Sequence, residues 1–364
     1  MQHPGARGCL RFACAAAAGL AATVAGAAAQ QPDAGAGDRI QVELTLEAQL
    51  VKVSFPPALS AADGAHQALL SGSGGSRAQV GTLEADRALR IGSIVPGGDA
   101  AAAGRELWLV RAADGWELEA GGAATIPLAH RTADVSAPTF VAALHPTGAE
   151  AGRLVMRWGA HVWSAEFRFE DLPPLPQQPP AGDGNFGEAL QRDSDTSATA
   201  RLNRLAERNE TALVLPGGER IAVLYGKRLA VDEVDYPNLE STPDGAVVEL
   251  VRAPVLRLRS DVALRFGRSE LPTANLAAGF AGSYGLWLKR AGDGWSFVFN
   301  DEPDSWGTQH DPAFDAAEVP ASYSRAAGAF RPLGITLAPA GAEGGRHVVH
   351  WGPHEWAADF AVPR

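Results

Sequence analysis

Cysteine is almost missing from this chain. Its two cysteines, Cys9 and Cys14, both lie near the N-terminus. That stretch reads as a secretory leader: Arg7 and Arg11 make a positive start, an apolar run follows, and Ala27-Ala28-Ala29 precedes Gln30 as a small-residue cleavage site. Residues 1–29 are therefore expected to be a signal peptide cleaved after Ala29, with the chain periplasmic or secreted. Neither cysteine sits in a lipoprotein cleavage box, so both leave with the leader. A cysteine-free mature chain excludes disulfide staples, zinc–thiolate sites and a cysteine nucleophile, although an exported protein would be permitted disulfides.

Long apolar runs are also missing. Beyond the leader nothing approaches the roughly 18 apolar residues of a membrane span, so none is expected. Positive charge is scarce. The formal net charge is −11, and loss of Arg7 and Arg11 leaves 29 basic against 42 acidic residues, or −13. Such a surface disfavours nucleic acid and anionic membranes.

What is present is a repeat. ELWLVRAADGWELE (106–119) matches GLWLKRAGDGWSFV (285–298), and GRLVMRWGAHVWSAEF (152–167) matches GRHVVHWGPHEWAADF (345–360), both without gaps. Eight of the nine tryptophans fall into four matched pairs: Trp108 with Trp287, Trp116 with Trp295, Trp158 with Trp351, and Trp163 with Trp356. Only Trp306 has no counterpart. Between the halves, DLPPLPQQPP (171–180) and the polar stretch after it read as a linker over 171–199.

The matched blocks read as β-hairpins. Asp114-Gly115 and Asp293-Gly294 stand between runs of Leu, Trp, Phe and Val, and Trp295, Phe297 and Phe299 recur with period two, on one sheet face. Further strands are expected near 40–45, 49–54, 88–95, 135–144, 220–225, 246–251, 254–259, 261–266 and 329–338. A helix is expected over 200–210, where Leu202 and Leu205 share a side. The expected architecture is all-β: two tandem β-sandwich domains, 38–170 and 200–364, from an internal duplication and joined by the Pro-rich linker.

The order Gly282-Ser283-Tyr284-Gly285-Leu286-Trp287, Trp295 through Phe299-Asn300, Trp306-Gly307, Asp311-Pro312 with Asp315, and Trp351 resembles the bacterial domain-of-unknown-function family 2911, exported all-β domains. The resemblance covers about 220–362 and reaches the first half only through the repeat. It implies a sandwich and brings no activity. The family's Trp-Arg-x-Gly-Ala-Asn-Glu segment is missing, and GAVVELVRAPVLRLRSD (245–261) stands in its place.

Three constellations carry chemistry. Ala281-Gly282-Ser283-Tyr284-Gly285 approximates a nucleophile elbow, but an aromatic strand follows where that device needs a helix. His347, His350 and His354 have metal-like spacing. Gly352-Pro353 forbids the helix that would converge them, and a structural histidine in the shared W-G-x-H-x-W turn is the better account. No catalytic residue, metal ligand or cofactor is assigned. The third is DEPDSWGTQHDP (301–312) and its flanks. Seven carboxylates and no Lys or Arg occur between Arg290 and Arg325. Asp301, Asp304, Trp306, His310, Asp311 and Asp315 form the candidate binding site, and His130 is the expected first-half match of His310.

The function expected is a non-catalytic binding or structural module of the cell envelope, meeting an envelope ligand or protein. The alternative is a secreted carboxylate-dependent hydrolase, glycan-directed, using the 301–315 loop; calcium stabilisation is a third possibility.

Overall fold

The computed structural model describes residues 38–72, 75–86, 88–92, 104–121, 124–170, 208–227, 229–251, 256–275, 281–303, 307–326 and 331–363. The expected leader (1–29) and the expected linker (171–199) lie outside the described residues. Among those described the chain is all-β, with only two helices, and no helix is long and apolar enough to cross a membrane.

The first half runs β1 (Ile40–Leu46), β2 (Gln49–Phe55), α1 (Gly64–Ser71), β3 (Ser76–Ala85), β4 (Leu89–Ile91), β5 (Arg105–Ala112), β6 (Gly115–Ala120), β7 (Ala124–Pro127), β8 (Ala129–Pro146) and β9 (Ala151–Phe169). The second runs β10 (Arg208–Val214), β11 (Arg220–Gly226), α2 (Tyr236–Ser241), β12 (Leu256–Ser260), β13 (Leu264–Phe266), β14 (Ser269–Leu271), β15 (Ser283–Ala291), β16 (Gly294–Asn300), β17 (Asp315–Arg325), β18 (Arg331–Pro339), β19 (Gly344–Gly352) and β20 (His354–Ala361). Alternation builds them: Trp116, Leu118 and Ala120 of β6 are buried while their neighbours are half-buried.

The halves follow the same order of pairing. β1–β2, β2–β3, β3–β5 and β5–β6 are matched by β10–β11, β11–β12, β12–β15 and β15–β16. His130 lies opposite Trp163 in the β8–β9 ladder, and Tyr323 lies opposite Trp356 in β17–β20. Trp116 packs edge-on against Trp163 at 5.0 Å, and Trp295 against Trp356 at 5.4 Å. Arg111 and Arg290 sit over Trp116 and Trp295 at 4.7 and 5.0 Å. The shared W-G-x-H-x-W segments turn at Gly159 and Gly352, with φ of 61° and 59°. Those backbones favour glycine, and a Cβ at Gly159 would also meet His66 of α1 at 2.8 Å, one at Gly352 Tyr236 of α2 at 2.5 Å.

Separate tandem sandwiches are not what forms. β1 pairs antiparallel with β10, from Gln41 opposite Val214 to Thr45 opposite Glu210, so one sheet runs through both halves. Seventeen strands are joined by hydrogen bonds, with β4-β9-β8 as a second sheet. One hydrophobic cluster contains residues of both halves, and the Thr336 hydroxyl on β18 meets His145 Nδ1 on β8 at 3.1 Å. The physical reason is that β1 and β10 would otherwise each expose an unpaired edge.

Charge reinforces the seam. Arg220 on β11 reaches Glu43 on β1 at 3.1 Å and Glu210 on β10. Burial works against its charge, but the two carboxylates more than offset it and raise its pKa. Lys227 and Glu47 form a buried pair at 3.3 Å, and the Glu47 N–H donates to Asn209 Oδ1 at 3.2 Å.

This seam corrects the helix expectation. Residues 208–210 begin β10, a central strand buried from Asn209 to Leu213, because pairing on both sides outweighs local helix propensity; Leu202 and Leu205 lie outside the described residues. The hairpin signal was displaced by one residue: the two-residue loops are Ala113-Asp114 and Gly292-Asp293, while Gly115 and Gly294 are already paired. The expected strand at 246–251 is irregular, with one bridge from Val247 to Lys289.

The β1–β2 turn is closed by Glu47 and Ala48 at φ 48° and 65°, without glycine. L-residues there cost about 1–2 kcal/mol, so Ala48→Gly is expected to stabilise the protein by up to about 1 kcal/mol. A chemical-denaturation midpoint that falls would contradict this.

Candidate functional site

The site is built on the outer face of the sheet in the second half. Along β15, Leu286 and Leu288 point into the core, so Trp287 and Lys289 point out. Trp287 lies opposite Val298 of β16 and packs with it and Val247 in a small separate cluster. The segment 245–250 continues along β15 where β12 ends: Val248 N–H donates to Leu288 O at 2.8 Å and Arg290 N–H to Ala246 O at 2.9 Å. By the same alternation Val248 and Leu250 are buried, while Val247 and Glu249 face outward.

The loop from β16 to β17 folds back over this face. Asn300, 1% exposed at the end of β16, is its anchor. Its amide donates to Asp311 O and to Asp315 Oδ1, both at 2.9 Å, and its Oδ1 accepts from Glu302 N–H at 2.9 Å. Asp311 Oδ1 accepts from Ala313 N–H at 2.9 Å and caps a 3-10 turn over Pro312–Phe314. That compact turn brings Asp311 and Asp315 to its two ends. His310 Nε2 meets Asp315 Oδ1 at 2.8 Å. A carboxylate only accepts, so Nε2 carries the proton. The His310 ring stands edge-on to Trp287, centroids 5.2 Å apart.

The result is a cleft of about 260 Å³ lined by Gly245, Ala246, Val247, Glu249, Trp287, Lys289, Thr308, His310, Pro312 and Asp315. Lys289 pairs with Glu318 at 2.6 Å and holds that carboxyl below its ordinary range.

Of the residues proposed from sequence, His310 and Asp315 line the cleft together. Asp311 serves the turn beside it. Asp301 is 8% exposed, with its backbone N–H bonded to Phe314 O at 2.8 Å, so it lies beneath the loop and not on its surface. Asp304 and Trp306 lie outside the described residues. Sequence reasoning missed Trp287, Lys289 and Glu249 as a wall. Asn300 was visible only as one letter of the family pattern. His130 is not the counterpart of His310: its register position is that of Tyr323.

The remaining histidines have structural positions. His347 packs edge-on against Phe297 at 4.9 Å, and burial alone lowers its pKa to about 3. His350 is buried beside β8, with burial, Arg331 and His145 lowering its pKa against an opposing bond to the Pro146 carbonyl. His354 stacks on Trp356 at 5.5 Å, with Nδ1 2.8 Å from the Tyr323 hydroxyl. The first half repeats this as His161 on Trp163 at 5.6 Å, with Nδ1 2.9 Å from His130 Nε2. Burial is the largest cause lowering the pKa of His130 and of His161. Among the described residues, no group of three or more His, Cys, Asp or Glu is placed to hold a metal ion. Ser283 is buried in β15, in a strand and not at an elbow.

No family model, curated protein or solved structure matches this chain.

Proposed function

We propose that this chain is an exported, non-catalytic binding module of the cell envelope, formed by internal duplication, and that its ligand site is the cleft over Trp287. The leader features of residues 1–29 support export. The common order of strand pairing, the four tryptophan pairs and the resemblance of 220–362 to family 2911 support the duplication and the exported all-β character. The observation that carries the binding reading is convergence: Glu249, Lys289, Thr308, His310 and Asp315 come from three separate chain segments to line one cleft.

Binding is favoured over hydrolysis because the two aspartates of the loop are already engaged. Asp315 Oδ1 accepts from both Asn300 and His310, and Asp311 Oδ1 caps the turn. A general acid–base pair needs carboxyl groups free to exchange protons with a substrate.

Soaking crystals of the mature chain with a mixed set of small polar fragments is expected to place density between Glu249 and His310. Reproducible density elsewhere with none in the cleft would sink this assignment.

A further inference from the structure

We propose that the cleft recognises one neutral, hydroxyl-rich ring, that is, a single monosaccharide unit of a saccharide. This rests on the binding reading above and adds the class of ligand. Three features select it.

The first is the mixture of partners. Glu249 and Asp315 accept hydrogen bonds, Lys289 donates, and Thr308 does both. Adjacent hydroxyl groups of a sugar ring are each donor and acceptor, so they satisfy such an alternating set without leaving a buried group unpaired. A phosphate or carboxylate ligand would face two carboxylates, and the one lysine is already paired with Glu318 at 2.6 Å.

The second is the apolar side of the same cleft. Trp287, Val247 and Pro312 lie among the polar groups. A pyranose has one face of C–H groups that fits such a patch while its equatorial hydroxyls reach sideways.

The third is size. About 260 Å³ lies just under the ~300 Å³ at which ordinary small-molecule pockets begin. That room suits one ring, with any further sugar units extending into solvent past the exposed Glu249 and Thr308.

The test is calorimetric titration of the mature chain with four probes: D-glucose and N-acetylglucosamine as neutral rings, choline as a cation, and inorganic phosphate as an anion. The expected result is saturable binding of a neutral ring, weakened at least tenfold by Glu249→Ala, an exposed side chain whose loss leaves the melting temperature unchanged. Binding of choline instead, with the same dependence on Glu249, would overturn the saccharide class and leave the cleft as the ligand site. Binding of a probe that is indifferent to both Glu249→Ala and Thr308→Ala would overturn the cleft itself. Absence of binding by all probes, while fragments still occupy the cleft in crystals, would overturn the saccharide assignment alone.

Discussion

Lowering the pH from about 7 to about 4 is expected to unfold this protein. Three histidines are held neutral in its interior. Burial, with Arg153 and Arg331 nearby, lowers the His145 pKa to about 4. Burial takes His347 to about 3 and His350 well below the ordinary value. In the unfolded chain the same rings protonate near 6.5. Between those values the unfolded state binds more protons, so the stability is fully present above about pH 6.5 and is lost as the pH falls towards the folded values. His145 and His347 each account for about 3 kcal/mol by pH 4, a large part of the ~5–15 kcal/mol that holds a domain folded, and His350 acts in the same direction. The three rings are distributed across the contact between β8 and the β18–β19 hairpin and the adjacent core, where the charged groups acting on His145 and His350 include Arg331, which opposes an added positive charge. Denaturant midpoints followed by tryptophan fluorescence at pH 7, 5.5 and 4.5 should fall steeply. A flat profile would refute the neutral buried rings. His347 offers a direct check, because neither of its ring nitrogens has a hydrogen-bond partner. His347→Leu is expected to raise the stability by about 1–3 kcal/mol at neutral pH and to flatten the acid limb.

The second large effect is at the tryptophan pairs. Trp295→Ala is expected to cost about 3–5 kcal/mol. Trp295 is 5% exposed, on the same core face as Phe297 and Phe299, and packs on Trp356 with Arg290 above it. Trp116→Ala should cost the same, since Trp163 and Arg111 surround it in the same way. Trp108→Ala should cost much less, because that ring sits on the outer face, covered by Arg77 at 4.5 Å. The two large substitutions should lower one common transition by roughly 5 °C or more, since the β1–β10 ladder and the shared core couple the halves. Two separable melting steps, each sensitive to only one of the substitutions, would show that the halves unfold independently.

Much of this was legible in residue order. Alternating apolar residues and paired tryptophans marked the hairpins, because strand geometry puts every second side chain on one face and depends only on near neighbours. The same local logic read His354 and His161 as structural and removed Ser283 from the list of nucleophiles. It failed at residues 208–210, where the end of the expected helix became the start of a central strand, and at Asp301, where an acidic residue in a polar loop proved buried. In each case a distant partner decided the outcome: β1 for the strand, Phe314 for the aspartate.

The sequence by itself determined the all-β class and the period-two core face of Trp295, Phe297 and Phe299, and it placed His310 and Asp315 in one candidate site. Only the tertiary structure decided that β1 joins β10 into one sheet, that Trp287 and Lys289 face outward beneath the returning loop, and that Glu249 completes the cleft. Those contacts link residues dozens of positions apart, and 165 to 173 positions apart at the β1–β10 seam. Their free energy comes from edges satisfied and apolar surface covered at long range, which no local pattern of residues encodes.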